Sequence, residues 1–157
     1  GGSAVKWRLR AMRLPCRGWI FWFVLFPIWS TSPALSAETL SGEDASQIRG
    51  VIEKQLDALQ RDDWTEAFSY AAPFIRKKFG SPDTFRRMIM GGYGIVHRPR
   101  TVSFEALEEI AGRLAQNVFM VGPDGKSAMV VYFMEKTPPG AWTISGVSII
   151  PLADQSA

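Results

Sequence analysis

The residue types that could bind or react concentrate in one short stretch, GGYGIVHRPR, at residues 91–100. It contains the only histidine of the chain, His97, and two arginines on either side of Pro99. Because a proline disfavours helix at the residue before it, the chain should run extended here, with Arg98 and Arg100 on one side. Two guanidinium groups on one side can bind a carboxylate or a phosphate through paired hydrogen bonds.

Two interpretations of this stretch are open. In the first, its polar side chains form a binding site for a small anion: Tyr93, His97, Arg98 and Arg100. In the second, the glycines relax a turn between a helical half and a strand-rich half, and the arginines pair with carboxylates such as Glu105 or Glu108. Tyr93 and His97 then serve as packing residues. The second interpretation is favoured.

Catalysis would require a buried general base that faces a hydrogen-bond donor. The candidate bases are Asp57 and Glu135, and the candidate donors are Tyr70 and Tyr132. These residues form no recognisable constellation, and the sequence has no serine-nucleophile, phosphate-loop or dinucleotide motif. An enzyme is therefore less favoured than a binding protein, and no cofactor is expected. One histidine and one cysteine, Cys16, also make a metal site improbable.

The amino-terminal residues have the pattern of a secretory signal peptide. A short apolar run, Trp19–Trp29, is followed by small and polar residues up to Ala37. The run is shorter than the roughly 20 residues that a membrane-spanning helix needs. Five basic residues precede it: Lys6, Arg8, Arg10, Arg13 and Arg17. We therefore predict a signal peptide at residues 1–37, a periplasmic or secreted protein, and no membrane association after cleavage.

Removal of residues 1–37 changes the charge balance. The complete sequence has 18 basic and 15 acidic residues, and its formal net charge is +3. Without the five basic residues of the signal, 13 basic residues face 15 acidic ones, which gives a net charge of −2. This disfavours nucleic acid as a partner, because phosphate contacts need clustered positive charge. Cys16 is lost with the signal, so no disulfide or thiol nucleophile is expected.

The remaining chain divides into helices and then strands. Capping signals at Ser41 (or Asp44), Asp63 and Ser81-Pro82 predict helices between residues 44 and 90, with a short turn after Pro73. After residue 100 the pattern predicts strands: Thr101–Ile110, Arg113–Val121, Lys126–Glu135 and Ala141–Ile150. The fold class is α+β, with amino-terminal helices packed on a curved antiparallel sheet of about four strands. Residues 38–150 should form this single domain, followed by a polar tail at residues 151–157.

Two features of the sheet can be predicted further. The last strand changes phase near Ser145-Gly146, which predicts a bulge there. The third strand is apolar on both faces, and one face consists of Met129, Val131 and Phe133. Leaving these three in water would forgo about 1.5–3 kcal/mol for each large side chain. We therefore expect a cover on that face: a second subunit, the carboxy-terminal tail or a curled sheet edge. A homodimer through the sheet face is favoured.

This order of elements resembles the nuclear transport factor 2-like (cystatin-like) superfamily. Residues 48–150 are similar to a narrower family of exported bacterial proteins, domain of unknown function 4864. The matching stretches are Gln55–Leu59, Phe79–Pro82, Gly92-Tyr93, Arg98–Arg100 and Trp142–Gly146. The resemblance implies a fold but no activity. It also implies a cone between helices and sheet that can hold a small apolar ligand, and some superfamily members isomerise steroids with a pocket carboxylate and a tyrosine.

Large side chains should decide whether this cone is an open pocket or a filled core. The candidates are Trp64, Phe68, Tyr132 and Trp142. They could line a pocket, although large apolar side chains more commonly fill a core. The favoured function is a non-catalytic module of the cell envelope that binds a small anionic or apolar ligand. The alternatives are a protein-interaction module that uses its sheet face and a small isomerase-like enzyme.

Overall fold

The computed structural model describes residues 40–153, so the predicted signal peptide and residues 154–157 of the predicted tail lie outside it. Four helices precede four strands, and a short 3₁₀ turn at Gly94–Val96 joins the two halves. The helices are α1 (Gly42–Gln60), α2 (Trp64–Ser69), α3 (Pro73–Phe79) and α4 (Pro82–Gly92). The strands are β1 (Thr101–Ile110), β2 (Arg113–Val121), β3 (Ser127–Lys136) and β4 (Trp142–Pro151). The predicted α+β fold is confirmed.

Three helices begin at the side-chain caps that the sequence indicates. The backbone N–H groups of residues 44, 66 and 84 donate to the side chains of Ser41, Asp63 and Ser81, respectively. These bonds satisfy N–H groups that have no partner inside the helix. The exception is α3, whose cap residue Ala72 has no side chain to accept a bond. The sequence predicted only a turn there, and the structure forms a seven-residue helix instead.

The four strands form an antiparallel sheet in the order β1-β2-β3-β4. In β4, Gly146 pairs with Phe133 and Ile144 pairs with Met134, so Ser145 is an extra residue between them. The predicted bulge at Ser145-Gly146 is therefore confirmed. A bulge bends its strand and increases the local twist. The bulge lies next to Ile144, whose backbone bonds the segment before α3.

The core lies between the helices and one face of the sheet. Ile48, Ile52 and Leu59 on α1 are fully buried, as are Val118 on β2 and Val130 on β3. The segment between α2 and α3 is fixed to β4 by two backbone bonds. Ala72 N donates to Ile144 O at 2.8 Å, and Ile144 N donates to Tyr70 O at 2.9 Å. These bonds protect part of the β4 edge and anchor the start of α3.

The opposite face of the sheet is only partly covered. Val131 is 4% exposed there, whereas Met129 and Phe133 are half-buried. The guanidinium group of Arg113 stacks over the Phe133 ring, 4.2 Å from its centre. Neighbouring side chains of the sheet therefore supply part of the cover that the sequence requires. None of the helices within residues 40–153 has the length and apolar character needed to cross a membrane.

Candidate functional site

The arginine-flanked proline lies at the junction between the helices and the sheet. Asp62, directly after α1, accepts a hydrogen bond from His97 Nε2 and another from Arg98 Nη2, each at 2.7 Å. The His97 ring also packs on Trp64, with ring centres 5.4 Å apart. The partner of Arg98 is therefore Asp62, a residue far away in the sequence, and neither Glu105 nor Glu108. We call Asp62, Trp64, His97 and Arg98 the junction cluster.

The electrostatics of the junction cluster are balanced internally. The hydrogen bond from His97, together with the charge of Arg98, lowers the pKa of Asp62 below its ordinary value of 3.8. The carboxylate is thus ionised at neutral pH and offsets the charge of Arg98. Arg100 does not join this cluster: its backbone N–H donates to Val121 O at 2.7 Å, and its side chain is exposed. Arg98 and Arg100 therefore do not bind a common acceptor within residues 40–153.

Tyr93, the remaining candidate of this stretch, lies in a different environment. It lines a cavity of about 300 Å³, the apolar cavity, between α3, α4 and the bulged part of β4. Most of the wall is apolar: Phe74, Ile75, Phe79, Phe85, Met88 and Ile89. The side chain of Phe74 is 54% exposed at this cavity, and no residue of α3 is buried. The apolar side chains of α3 therefore lack the cover that a packed helix normally has.

Tyr132 lines the apolar cavity and carries a buried hydroxyl. Its side chain is 1% exposed, and its hydroxyl is the only buried side-chain polar atom within residues 40–153 that has no hydrogen-bond partner. Burial raises the pKa of this hydroxyl, so the group is neutral and keeps its proton to donate. A buried polar group without a partner costs about 1–3 kcal/mol. The Tyr132 hydroxyl is thus an unsatisfied hydrogen-bond donor on a residue that lines the apolar cavity.

Gln55 adds a second polar group to the same wall. It is 5% exposed, and its Nε2 donates to Ala67 O at 3.1 Å. Because Ala67 O can only accept, the amide orientation is fixed, and Oε1 remains as an acceptor. Gln55 also lies in the apolar stripe of α1, one turn after Ile52 and one turn before Leu59. A polar residue at a core position was the sequence signal for this site, and the sequence interpretation missed it.

The four large side chains considered as pocket lining have different locations. Tyr132 lines the apolar cavity. Phe68 is buried against Phe85, with ring centres 5.3 Å apart, and Trp64 belongs to the junction cluster. Trp142 donates from Nε1 to Asp44 Oδ1 at 3.0 Å, which ties the end of the sheet to the start of α1. The structure therefore brings only Tyr93 and Tyr132, of all the sequence candidates, to one cavity.

The candidate acid–base residues do not meet at this cavity. Asp57 pairs with Arg61 at 3.0 Å on the surface, and Glu135 is exposed. The Tyr70 hydroxyl donates to Glu66 Oε1 at 2.9 Å. The wall of the apolar cavity includes no Asp, Glu or His. Residues 40–153 also contain no group of three or more His, Cys, Asp and Glu side chains placed to hold a metal ion.

Comparison with known proteins gives one match. A family model described as "Domain of unknown function (DUF4864)" matches residues 41–157. This match includes both the junction cluster and the apolar cavity. No curated protein matches the chain, and no solved structure matches it.

Proposed function

The chain belongs to the DUF4864 family, and we propose that it is a non-catalytic module that binds a small, mostly apolar ligand in the apolar cavity. The observation that carries this proposal is the buried Tyr132 hydroxyl, which has no partner within residues 40–153 and belongs to a residue that lines a cavity of about 300 Å³. Buried polar groups in folded proteins nearly always have a partner. A ligand oxygen that accepts a hydrogen bond from Tyr132 would supply it.

The chemistry of the wall defines the class of ligand. The aromatic and aliphatic side chains of α3 and α4 favour an apolar body. Tyr132 favours one carbonyl, ether or hydroxyl oxygen, and a hydroxyl on the ligand could also donate to Gln55 Oε1. The volume lies at the lower end of the range of about 300–1,000 Å³ that is usual for ligand pockets. A ligand with a small apolar body therefore fits better than one that is polar throughout.

Three further observations bear on the proposal. They concern catalysis, the location of the protein and its superfamily. The apolar cavity has a donor in Tyr132 but no wall residue that could act as a general base at neutral pH. The pattern of residues 1–37 supports a module of the cell envelope, periplasmic or secreted. The arrangement of helices on a bulged antiparallel sheet supports membership of the nuclear transport factor 2-like (cystatin-like) superfamily.

A matched pair of probes tests this proposal. 2-Acetylnaphthalene carries a ketone oxygen, and 2-ethylnaphthalene has nearly the same shape without it. Their binding can be measured by displacement of the fluorescent apolar probe N-phenyl-1-naphthylamine. We expect the protein to prefer the ketone by about tenfold, the value of one hydrogen bond to a buried donor. The Tyr132→Phe variant should lose this preference but still bind both probes.

The Tyr70→Phe variant is the matched control, because it removes a tyrosine hydroxyl that already has a partner outside the cavity. It should keep the preference for the ketone. Failure of both probes to bind, or equal binding of the two by the unmodified protein, would refute the proposal.

A second candidate function uses the sheet face that is turned away from the helices. Phe119, Met129 and Ile150 form a row across β2, β3 and β4, and Ile150 is 52% exposed. We propose that this row is the centre of a homodimer, since exposed apolar rows often mark contact surfaces. Sedimentation velocity should then show a dimer that dissociates in the Ile150→Lys variant. A monomer at micromolar concentration would exclude this contact.

A further inference from the structure

A second cavity adjoins the apolar cavity at the bulge of β4. Its volume is about 400 Å³, and the two cavities share Phe74 and Ser145 in their walls. We call the second one the rim cavity. Its wall also contains two charged residues, Arg113 and Glu135. A ligand that fills the apolar cavity therefore has a more polar space next to it, on the far side of Phe74 and Ser145.

Arg113 provides an accessible cation at this rim. Its Nη2 donates to Ser145 Oγ at 3.1 Å, and its guanidinium plane rests on Phe133. It forms no ion pair with any carboxylate in residues 40–153, in contrast to Arg61, which is within 4 Å of three carboxylates. Stacking and a hydrogen bond to a neutral serine hold the group in place without neutralising it. Its other N–H donors remain available for an anion.

Lys78 provides a second cation, in the wall of the adjoining apolar cavity. It lies in the last turn of α3 and lines the apolar cavity. No carboxylate in the described range of the chain pairs with it. A lysine can pack its stem along an apolar wall and keep its ammonium group in water. Glu135, which is exposed, is the one carboxylate in the two walls, so the combined lining has a net positive charge.

From this arrangement we infer that the natural ligand is an amphiphile with a carboxylate at its outer end. The apolar body lies in the apolar cavity, and the carboxylate lies at the rim cavity, where Arg113 is the cation. Lys78 adds a positive charge from the wall of the apolar cavity. This inference rests on the proposed function, because it names the class of ligand for the same site. The carboxylate belongs at the rim because a charge without a cation in the apolar part would lose its hydration without compensation. A guanidinium group also matches the planar shape of a carboxylate.

The test compares two ligands that differ only in charge: octanoate and its neutral isostere octanamide. Both are measured at pH 7 by displacement of N-phenyl-1-naphthylamine from the unmodified protein. We expect octanoate to bind about tenfold more tightly, as a charge-assisted contact at a partly exposed site allows. Raising the salt from about 20 mM to about 500 mM should reduce this preference, because salt screens exposed charges.

The variants Lys78→Gln and Arg113→Gln identify the groups responsible. Each should reduce the preference for octanoate, and the double variant should bind the two ligands equally. Lys126→Gln, which removes a cation outside both cavities, should leave the preference unchanged. Equal binding of octanoate and octanamide by the unmodified protein, or an undiminished preference in the double variant, would overturn the inference.

This design separates the inference from the proposed function. If 2-acetylnaphthalene and octanamide bind while octanoate has no advantage, the carboxylate assignment fails and the apolar binding site stands. If none of the three displaces the fluorescent probe from the unmodified protein, both proposals fail.

Discussion

The junction cluster and the apolar cavity contrast in how their polar groups are satisfied. At the junction, the carboxylate of Asp62 accepts hydrogen bonds from both His97 and Arg98. At the cavity, the Tyr132 hydroxyl is buried and has no partner within residues 40–153. The junction is conspicuous in the sequence because it concentrates rare residue types. The cavity residues look like ordinary core.

This contrast indicates that the two regions differ in how many polar groups they leave free for a ligand. Charged groups that pair with one another have fewer hydrogen-bonding positions left for a ligand, and a half-exposed pair adds only modestly to stability. A buried donor without a partner has a cost in the free protein that a ligand can remove. The difference between the two regions therefore lies in which groups remain unsatisfied. Variants that fill the cavity or alter one polar group can test it.

Filling the apolar cavity should have the largest effect. Val147 lines the cavity and pairs across the sheet with Tyr132. In the Val147→Trp variant the indole would occupy much of the space, and aromatic residues are well tolerated in strands. We expect the affinity for 2-acetylnaphthalene to fall by at least about thirtyfold, roughly 2 kcal/mol. Fluorescence displacement measures this loss.

The control is Val102→Trp, which adds the same side chain at an exposed position of β1, outside this cavity. It should bind as the unmodified protein does. If Val147→Trp also retains full affinity, the ligand binds elsewhere. The apolar cavity would then not be the binding site.

Removing the unsatisfied hydroxyl should make the free protein more stable. Tyr132→Phe keeps the ring and deletes the buried donor, so we expect the free energy of unfolding to rise by about 1 kcal/mol. Tyr70→Phe should lower it by up to about 1 kcal/mol, because that hydroxyl loses its bond to Glu66. Urea unfolding at pH 7 in the absence of ligand gives both values. A clear loss of stability in Tyr132→Phe would mean that its hydroxyl has a partner in the free protein.

The sequence was sufficient for the fold because the signals that define the fold are local. Ser41, Asp63 and Ser81 begin the helices at which they were predicted to act, and the phase change at Ser145-Gly146 produces the bulge. Alternating apolar residues and short turns were enough to define the four antiparallel strands. The helix α3 was interpreted as a turn because Ala72 provides no side-chain cap and because Pro73 was taken as the end of the preceding helix.

The sites depend on contacts that the sequence does not reveal. Asp62 and His97 are far apart along the chain, so their bond could not be read from spacing. Tyr132 was considered as pocket lining, but whether its hydroxyl has a partner depends on every element packed around it. Gln55 was missed because one polar residue in the apolar stripe of α1 does not reveal by itself that the residue lines a cavity. The amino-acid type alone does not show whether a polar side chain has a hydrogen-bond partner in the folded protein.

The junction carboxylate should contribute to stability in a way that depends on pH. Asp62 has a folded-state pKa below its ordinary value of 3.8, so its ionised form favours folding. This contribution is complete above 3.8 and is lost as the pH falls from there through the lower folded-state pKa. In the Asp62→Asn variant this pH-dependent contribution should be absent. Asparagine is a suitable replacement because it also accepts the left-handed backbone of this position, where φ is 58°.

The measurement is urea unfolding of both proteins from about pH 5, below the usual titration range of histidine, down to about pH 3. The difference in stability should be constant at the upper end and shrink below 3.8. It should be smaller than the effect of Tyr132→Phe, because the pair is half exposed. Asp83→Asn, which removes the acid of a more exposed helical pair, is the control. A difference that grows as the pH falls would contradict this account of the junction.

The smallest effect should come from the two arginines that first suggested an anion site. In the Arg98→Ala/Arg100→Ala variant, Asp62 keeps its bond from His97, and the wall of the apolar cavity is unchanged. We therefore expect the affinities for 2-acetylnaphthalene and for octanoate to remain within about twofold of the unmodified protein. Titration with inorganic phosphate should give no heat of binding for either protein. If phosphate binds the unmodified protein and not the variant, Arg98 can release Asp62 for an anion, and the junction is a binding site after all.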